Sequence, residues 1–567
     1  MDHANDISAP KHADNLGPQF EEILMHLGGN GRYQKYIVFL VLLPMCFASS
    51  IMASAWLFIT STPTDHWCRL PLDNLTSSIE KSLLPMDENE TSKHAECRMF
   101  DLNYTEELEV QGGVLGLVDL VNSSRQRLPT IPCTDGWGFD RYPQSRSLAS
   151  EFGLVCGKDF LTTLAFILPS LGSVIGIPFG GYLADRFGRK PTYFAALLFF
   201  VGVGTIASFI PTYVPFLAVV CIQNIASSPV YTLPYMIGVE ILPPDSRSTF
   251  AVLLTVLYTM GGVVFTGLAY FVRDWRWLLF SSTSPFLLFS LYWFIMPESP
   301  RFLLQTGSYA KAEKWLRIVA RVNRKDFGGA TEGKFRQLTD AHARLAREDK
   351  EHRKPRASYF DFFRTPNMRR KILLLTYLAC NVNVVYSGLS FYAPSLGSDP
   401  YLSFFLASLI EIPSSIFTQL TADRVGRRTT MVVCFAVTSI ACFGTAFLPN
   451  NSSSSYAPLL ILFMIAKMCI TSAFTVQELV VHEICPTVLR GEGVALTNIV
   501  GYSISNFGPI IVSQRAHQTA FPMVVFGATS VIGILCALAL PETLHMPLPE
   551  TVAEVENSGK KADKRQI

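Results

Sequence analysis

Twelve long apolar runs constrain this chain more than any other feature of its sequence. Each run approaches the roughly 20 residues that a helix needs to cross a bilayer. Open sheet edges would leave backbone groups unpaired in lipid, so the runs are predicted to be helices. The sequence therefore predicts an all-α polytopic membrane protein with twelve transmembrane helices. The predicted spans, numbered 1 to 12, cover residues 36–60, 161–184, 191–210, 212–239, 250–272, 277–296, 372–394, 400–422, 429–448, 456–482, 491–513 and 521–540.

Charged residues are few. Asp, Glu, Lys and Arg make up 16% of the 567 residues, whereas soluble proteins average roughly 25%. A net charge of +2 does not suggest a nucleic-acid surface, which would be strongly basic. We expect the chain to lie in a lipid bilayer and not to bind nucleic acid. The sequence leaves its oligomeric state open.

An internal duplication divides the chain into two halves of six spans. Three charged motifs recur in the same order at offsets of 238, 243 and 244 positions. Such a long period fits two halves of one membrane bundle, and it is far too long for a stacked repeat. The repeated pairs are residues 185–189 with 423–427, 240–247 with 483–490, and 297–298 with 541–542.

Basic residues between the spans set the expected orientation. Lys and Arg cluster after spans 2 and 8, and residues 301–371 hold 19 Lys and Arg against 8 Asp and Glu. These segments all fall on one side, which is predicted to be cytosolic together with both termini. The predicted parts are a cytosolic lead (1–35), a first half (36–300) with an extracellular loop (63–155), cytosolic linker helices (301–371), a second half (372–541) and a cytosolic tail (542–567).

The loop at 63–155 has the features of an extracellular segment. It carries four Asn-x-Ser/Thr sequons, which predict glycosylation, and four cysteines lie in or beside it. An even number of cysteines outside the cell favours two disulfides, but the sequence leaves all three connectivities open. The sequons are Asn74, Asn89, Asn103 and Asn122, and the cysteines are Cys68, Cys97, Cys133 and Cys156.

Two charges lie deep within the spans. Glu411 in span 8 and Lys467 in span 10 each lie about eleven residues from the outer end. At 1.5 Å per residue both are roughly 16 Å deep, near the middle of the bilayer. A charge at that depth usually faces a cavity or a partner. We therefore predict contact with the substrate, while a purely structural Glu411–Lys467 ion pair remains the alternative.

Uncharged polar residues of other spans are candidates for the same cavity. The duplication places Asn224 at the position of Lys467, and aromatic faces can hold a cation. Glu478 is expected to be a structural partner, and Asn381 and Asn383 could bond either across helices or to substrate. The predicted substrate-binding residues are Glu411, Lys467, Gln223, Asn224, Tyr386 and Tyr502.

The duplicated charges at the cytosolic ends of the spans are predicted to form a conformational gate. Opposite charges there could pair when that side closes and separate when it opens, which would bias a two-state equilibrium. The alternative is that they only fix the topology. The gate residues are Asp185, Arg189, Glu240, Arg247, Glu298 and Arg301 in the first half, and Asp423, Arg427, Glu483, Arg490 and Glu542 in the second.

Several motifs resemble the organic cation, anion and zwitterion transporters of the major facilitator superfamily. The resemblance covers roughly residues 20–555, and its most specific part is the long cysteine-bearing first loop. It implies two six-helix bundles around a central cavity, alternating access and no prosthetic group. The motifs are residues 62–69, 133–137, 151–156, 297–301, 388–390, 400–405 and 540–544.

The chain departs from the family pattern at two positions. Many members of the superfamily have a basic residue early in span 4, where this chain has Val220. In span 11 the cation carriers tend to have an acid, and the anion carriers a base, seven residues before a proline. Counting back from Pro509 gives Tyr502, so this indicator of substrate charge is missing.

The sequence thus predicts a plasma-membrane carrier for a small organic cation or zwitterion. An organic anion carrier is second and a sugar carrier third, and a non-transporting sensor on the same fold is the alternative of another class. An enzyme is not expected, since no nucleophile–base or metal-ligand arrangement is found. Residues 328–335 nearly match a phosphate-binding loop, but Phe335 replaces the Ser or Thr that binds magnesium.

Overall fold

The computed structural model describes residues 16–60, 65–72, 75–86, 94–124, 128–139, 146–352, 361–396, 399–448, 456–486, 489–514 and 520–544, with 546, 549, 555 and 556. Within these residues twelve helices are long and apolar enough to cross a membrane, as the sequence predicts. Spans 1 to 6 are Arg32–Ile59, Cys156–Phe187, Arg189–Ala207, Tyr213–Ile241, Pro244–Phe271 and Trp275–Phe294. Spans 7 to 12 are Pro366–Tyr392, Pro400–Val425, Arg427–Phe447, Tyr456–Ile484, Arg490–Ser513 and Phe521–Leu538.

Three spans are broken near their middles, each four residues before a proline. The pieces are Tyr213–Asn224 and Ser227–Ile241 in span 4, Pro400–Leu409 and Glu411–Val425 in span 8, and Arg490–Ser505 and Phe507–Ser513 in span 11. A proline in a helix removes one backbone donor, and its ring clashes with the carbonyl four residues earlier. Pro229, Pro413 and Pro509 act in this way on Ile225, Leu409 and Ser505. The breaks follow from the sequence, although the sequence analysis predicted these spans as continuous.

Three other spans depart from a regular α-helix. Span 2 does so only at its start, with the 3₁₀ turn Cys156–Lys158. Span 1 begins at Arg32 and contains a π-helical turn, Val38–Leu42, whereas the sequence prediction started this span at residue 36. Span 6 is α-helical over Trp275–Thr283 and a 3₁₀ helix over Ser284–Phe294.

The two ends of the bundle differ in character. We call the end that carries the Gly188 and Gly426 turns, together with the linker helices, the basic face. The opposite end carries the segment between spans 1 and 2, and we call it the loop face. Residues from both halves share one hydrophobic core, to which the first half contributes mainly residues near the loop face, such as Phe58, Phe265 and Trp275.

The linker and the lead form a helical layer on the basic face. The linker helices are Pro300–Gln305, Tyr309–Asn323, Ala330–His352 and Asp361–Arg364, and the lead helix is Leu16–His26. The lead helix packs against Ala330–His352, and its buried apolar residues share a core with the linker and the first half. The lead is therefore a docked part of the fold, which the sequence analysis did not predict.

The loop between spans 1 and 2 is a small folded unit, not an open connection. Its helices are Ser77–Ser82, Tyr104–Val110, Val114–Ser124 and Leu148–Phe152. Strand His66–Cys68 pairs antiparallel with Trp137–Phe139, and Arg98–Phe100 pairs with Thr130–Pro132. These ribbons are exceptions to an otherwise helical chain, and they enclose their own apolar core around Trp67, Phe100 and Tyr104.

The structure brings the four loop cysteines together in two pairs. Cys68 is bonded to Cys133 and Cys97 to Cys156, with Cα–Cα distances of 5.2 and 5.7 Å. This is one of the three connectivities that the sequence left open, and oxidation of these pairs in the cell stays a prediction.

Two of the four predicted sequons can be placed. Asn103 and Asn122 are exposed, whereas Asn74 and Asn89 lie outside the described residues. Exposure is what a glycosylation acceptor requires, so glycosylation of Asn103 and Asn122 remains a prediction that the fold permits.

Glu151 ties the loop to the bundle. It accepts hydrogen bonds from Nε1 of Trp275 and from the guanidinium of Arg276, each at 2.7 Å. Burial opposes ionisation of Glu151, but these hydrogen bonds and the charges of Arg276 and Arg146 outweigh burial and lower its pKa. The carboxylate is therefore held in its charged form at this junction.

Candidate substrate site

Glu411 and Lys467 meet at mid-depth in the second half. Nζ of Lys467 lies 3.1 Å from Oε1 of Glu411, and the two side chains are 2% and 13% exposed. Lys467 also donates a 2.6 Å hydrogen bond to Oγ of Ser390. Burying these charges costs several kcal/mol per ion unless partners compensate it. The two charges compensate each other, but their burial still costs free energy. Charges buried at this depth in membrane proteins usually have a function.

Tyr386 in span 7 contacts both charges. Its hydroxyl donates a 2.8 Å hydrogen bond to Oε1 of Glu411. Its ring lies beneath Nζ of Lys467, 3.5 Å from the ring centroid. One tyrosine therefore stabilises the anion through its hydroxyl and the cation through its face. This dual contact supports the predicted role of Tyr386 in the site.

The break in span 8 sets the position of the Glu411 carboxylate. Glu411 is the first residue of the second helical piece, directly after the interruption at Ile410. The free backbone N–H groups at such a start carry partial positive charge, which favours a nearby carboxylate. The interruption can be traced to Pro413, so the sequence contains the signal for it.

The other predicted cavity residues of span 4 turn toward neighbouring helices. Gln223 is 1% exposed and donates to the carbonyl of Phe200 in span 3 at 3.2 Å. Asn224 donates to the carbonyl of Val220 in its own helix at 2.9 Å, and its Cβ packs close to Gly172 of span 2. The structure does not bring Gln223 or Asn224 to the Glu411–Lys467 pair.

Asn381 and Asn383 also lie between helices. Asn383 donates to the carbonyl of Ala379 at 2.8 Å and lies against Gly501 of span 11, while Asn381 lies against Gly533 of span 12. The geometry favours packing roles for both residues, an alternative that the sequence left open.

Tyr502 lies in the central space, although it does not touch the ion pair. It is 37% exposed, and it lies within range of the charge of Glu478 from span 10 and close to Tyr258 from span 5. Tyr231 of span 4 is 43% exposed and lies within range of the same Glu478. Tyr231 and Tyr502 thus come from different halves, and both side chains are exposed. Tyr231 and Tyr258 were not among the predicted site residues, and Glu478 was expected to be a structural partner.

The duplicated charge motifs form two matching clusters at the basic face. Arg189 lies 3.4 Å from Asp185 and 3.7 Å from Glu240. Arg427 lies 3.1 Å from Asp423 and 3.3 Å from Glu483. Each cluster lies within one half, so in this conformation the predicted gate charges pair inside the halves. Their role as a gate remains a proposal.

The acids at the ends of spans 6 and 12 fix the turns before spans 3 and 9. Glu298 accepts from the backbone N of Arg189, and Glu542 from that of Arg427, both at 2.9 Å. Gly188 and Gly426 both have φ +107°, and a Cβ there would lie 2.5–2.6 Å from these carboxylates. Only glycine fits both the backbone angle and the space. The two halves therefore share one construction.

Arg247 and Arg301 have a partner that the sequence analysis did not find. Both donate to Oε1 of Glu21 in the lead helix, at 2.7 and 2.6 Å. Arg490 is the counterpart of Arg247 in the second half, and its buried Nε and Nη2 have no hydrogen-bond partner among the described residues. The two halves therefore differ at this point, because Glu21 of the lead helix pairs with arginines of the first half.

The two halves meet near the loop face. Phe58 stacks on Tyr401 with ring centroids 5.5 Å apart, and Phe166 packs edge-on against Phe391 at 4.2 Å. Ser170 of span 2 donates a hydrogen bond to Asn506 of span 11. These contacts hold the two halves together near the loop face.

These features define a two-fold repeated bundle of twelve membrane-spanning helices with a buried pair of opposite charges at mid-depth. The chain belongs to the organic cation, anion and zwitterion transporters of the major facilitator superfamily, as the sequence motifs indicated. The family described as "Sugar (and other) transporter" matches residues 121–554.

Known relatives span nearly the whole chain. A β-alanine transporter of Drosophila melanogaster is 33% identical, covering 95% of this chain and 89% of its own. A carcinine transporter of the same fly is 32% identical, covering 95% and 79%. Human solute carrier family 22 member 2 is 30% identical and covers 95% of both chains. The chain is therefore a transporter of small organic solutes and not an enzyme.

Solved structures give the same fold. The inward-open xylose transporter XylE from E. coli aligns with a TM-score of 0.53 at 21% identity, covering 72% of this chain and 90% of its own. The major facilitator fold predicted from the sequence is thereby confirmed.

Proposed function

We propose that this chain is a plasma-membrane carrier that moves a small organic cation or zwitterion by alternating access. The observation that carries the proposal is the buried Glu411–Lys467 pair, which the side chains of Tyr386 and Ser390 contact. The names of the fly relatives agree with it, because β-alanine is a zwitterion and carcinine is an amine without a carboxylate.

The pair favours a zwitterion at this depth. A substrate ammonium can replace Lys467 beside Glu411 while the substrate carboxylate replaces Glu411 beside Lys467. Each buried charge then exchanges one partner for another, so no uncompensated charge is created. A monocation would leave Lys467 with only the hydroxyl of Ser390 and the ring of Tyr386. An anion would displace Glu411 and leave that carboxylate in need of a partner.

Transport then requires the cavity to open alternately at its two ends. In the present conformation the halves touch near the loop face. Closure at the basic face would bring together the ends of the spans that carry the Arg189 and Arg427 clusters. These clusters would bias the equilibrium between the two states without touching the substrate.

The basic face is proposed to be cytosolic, and the loop extracellular. This orientation follows from the positive-inside rule and from the sequons in the loop. Treatment with a glycosidase should increase the mobility of the protein on a gel. Replacing Asn74, Asn89, Asn103 and Asn122 together by Gln should remove most of that shift. An undiminished shift in the quadruple variant would contradict the assignment of the loop.

Uptake by cells that express the chain tests the proposed function. The substrates are radiolabelled β-alanine, carcinine and the anion hippurate, and a binding measurement separates a carrier from a sensor. β-Alanine and carcinine should enter well above the background of untransfected cells. Binding without uptake would instead indicate a sensor, and uptake of hippurate alone would indicate an anion carrier.

Two matched variants test the ion pair. Glu411→Gln should impair the uptake of both β-alanine and carcinine, because each carries an ammonium group. Lys467→Gln should impair β-alanine more than carcinine, because only β-alanine carries a carboxylate. An equal collapse of both substrates in both variants, at normal surface expression, would indicate a structural ion pair that does not touch the substrate.

A further inference from the structure

Glu478 is an acid inside the bundle without a partner. It has no hydrogen bond or ion pair with any residue that the structure describes, and its side chain is half-buried. A carboxylate left this way among apolar helices is costly in its charged form, and a cation from outside the chain would stabilise it. This contrasts with Glu411, which is compensated by Lys467.

The position of Glu478 on span 10 places it on the same face of that helix as Lys467. Span 10 is one continuous helix, Tyr456–Ile484. Eleven residues separate Lys467 from Glu478, which amounts to about three turns and roughly 16 Å along the axis, with only ~20° of rotation. Phe474 between them packs on Tyr386 at 5.8 Å. The same face of span 10 therefore runs from the buried pair to Glu478, which lies nearer the basic face.

Tyrosines from three other spans lie on the side of this carboxylate. Tyr231 and Tyr235 of span 4 and Tyr502 of span 11 are within electrostatic range of Glu478, and the ring of Tyr258 of span 5 packs on that of Tyr231 with centroids 5.4 Å apart. The four hydroxyl groups have no hydrogen-bond partner within the described part of the chain. Tyr231, Tyr235 and Tyr502 are 37–43% exposed, so they face open space.

We propose that Glu478 with Tyr231, Tyr235, Tyr258 and Tyr502 forms a second binding site for the cationic group of an ammonium compound, open to the basic face. The inference rests on the proposed function, because it assigns a further site in the same cavity. Substrate would bind here on its way between the Glu411–Lys467 pair and the basic face.

The chemistry of the site selects a cation. A carboxylate attracts a positive group, and tyrosine rings hold ammonium ions through their faces. No described base balances Glu478, so an anion would be repelled. A monocation needs only this site, whereas a zwitterion would also have to leave its carboxylate near the tyrosine hydroxyls. Glu478 should therefore matter more for monocations than for zwitterions, the opposite of Lys467.

A binding measurement on the full-length protein in nanodiscs tests the proposal. The probes are choline, tetraethylammonium and carcinine, and 3,3-dimethylbutanol serves as the uncharged analogue of choline. A hydrogen-bonded charge is worth a factor of about ten or more in affinity. Glu478→Gln should weaken the three cations about tenfold and leave 3,3-dimethylbutanol unchanged. Glu478→Asp keeps the charge and should stay within about threefold of the wild type.

Controls keep the outcome interpretable. Asp245→Asn removes an exposed acid at the basic face and should leave all affinities unchanged. If Glu478→Gln does not fold, Tyr235→Leu and Tyr502→Leu should still weaken the three cations several-fold. Unchanged cation affinity in the Glu478 or tyrosine variants would overturn the proposal, as would a wild type that binds none of the three cations better than 3,3-dimethylbutanol. A wild type that binds cations through Glu478 but shows no uptake would overturn the proposed function and leave this site standing.

Discussion

Tyr386 is the single residue on which the two buried charges converge. Its hydroxyl contacts Glu411 and its ring contacts Lys467, so the two contributions can be separated by substitution. Tyr386→Phe removes only the hydrogen bond to the carboxylate, which is worth about 1.5–3 kcal/mol for a charged partner. We expect the KM for β-alanine to rise about tenfold or more, with surface expression unchanged.

Tyr386→Leu is the matched comparison, because it also removes the ring beneath Lys467. It should impair uptake further than Tyr386→Phe, by a factor that reflects a cation–π contact of roughly 1–2 kcal/mol. Equal uptake by the two variants would show that the ring contributes nothing beyond the hydroxyl. Radiolabelled uptake over a range of β-alanine concentrations measures both effects.

Glu240 and Glu483 are matching residues of the two basic-face clusters. Each faces an arginine at 3.3–3.7 Å, and each has one buried carboxylate oxygen with no hydrogen-bond partner among the described residues. Their Gln variants should lower the maximal rate of uptake several-fold with little change in KM, since the clusters lie outside the cavity. Asp245→Asn is the control and should leave both the maximal rate and the KM unchanged. A Glu240 or Glu483 variant with a normal maximal rate and only a raised KM would contradict the proposed gate role of these residues.

At the scale of the elements, the lead helix offers the clearest test. Glu21 accepts from both Arg247 and Arg301 and is largely shielded, whereas its neighbour Glu22 pairs with Lys334 at the exposed surface. Glu21→Gln should destabilise the protein by about 1–3 kcal/mol and lower the Tm by a few degrees. Glu22→Gln is the matched control and should leave the Tm unchanged. Equal Tm values for the two variants would show that the lead helix is not held by Glu21.

The elements also show what the sequence could and could not predict. All twelve spans and the duplication could be predicted, because length, hydropathy and motif order depend on the sequence alone. The helix breaks could also have been predicted, because Pro229, Pro413 and Pro509 cause them, but these spans were predicted as continuous. The docked lead helix and the folded loop could not be predicted, because their contacts join residues far apart in the chain, such as Glu21 with Arg301.

The depth of the site residues in the membrane could be predicted from the sequence, but the neighbours that their side chains face could not. Counting along spans 8 and 10 placed Glu411 and Lys467 at one level, and the structure pairs them. Gln223 and Glu478 show the limit, because lipid and protein core are both apolar and a membrane helix carries little sign of which face turns inward. Gln223, expected in the cavity, turns toward span 3, and Glu478, expected to be a structural partner, has no hydrogen bond or ion pair with the described residues.

At the scale of the whole molecule, the duplication gives two similar rigid halves that can rock against each other. Matching turns at Gly188 and Gly426 and matching Arg189 and Arg427 clusters stiffen the basic ends of both halves. Aromatic contacts between the halves lie near the loop face, through the ring pairs of Phe58 with Tyr401 and of Phe166 with Phe391. Alternating access requires these contacts to separate, so preventing their separation should stop transport.

A cross-link at the loop face tests this requirement directly. Phe166 and Phe391 belong to different halves and their ring centroids are 4.2 Å apart, so cysteines at both positions should be within reach of a short bifunctional thiol reagent. The cross-linked double variant should lose uptake of β-alanine at least tenfold, while choline still binds from the basic face. Phe166→Cys and Phe391→Cys alone are the controls, and the reagent should not reduce their uptake. A fully cross-linked protein with normal uptake would mean that the loop-face contact does not open during transport, and the rocking of the two halves would have to be abandoned.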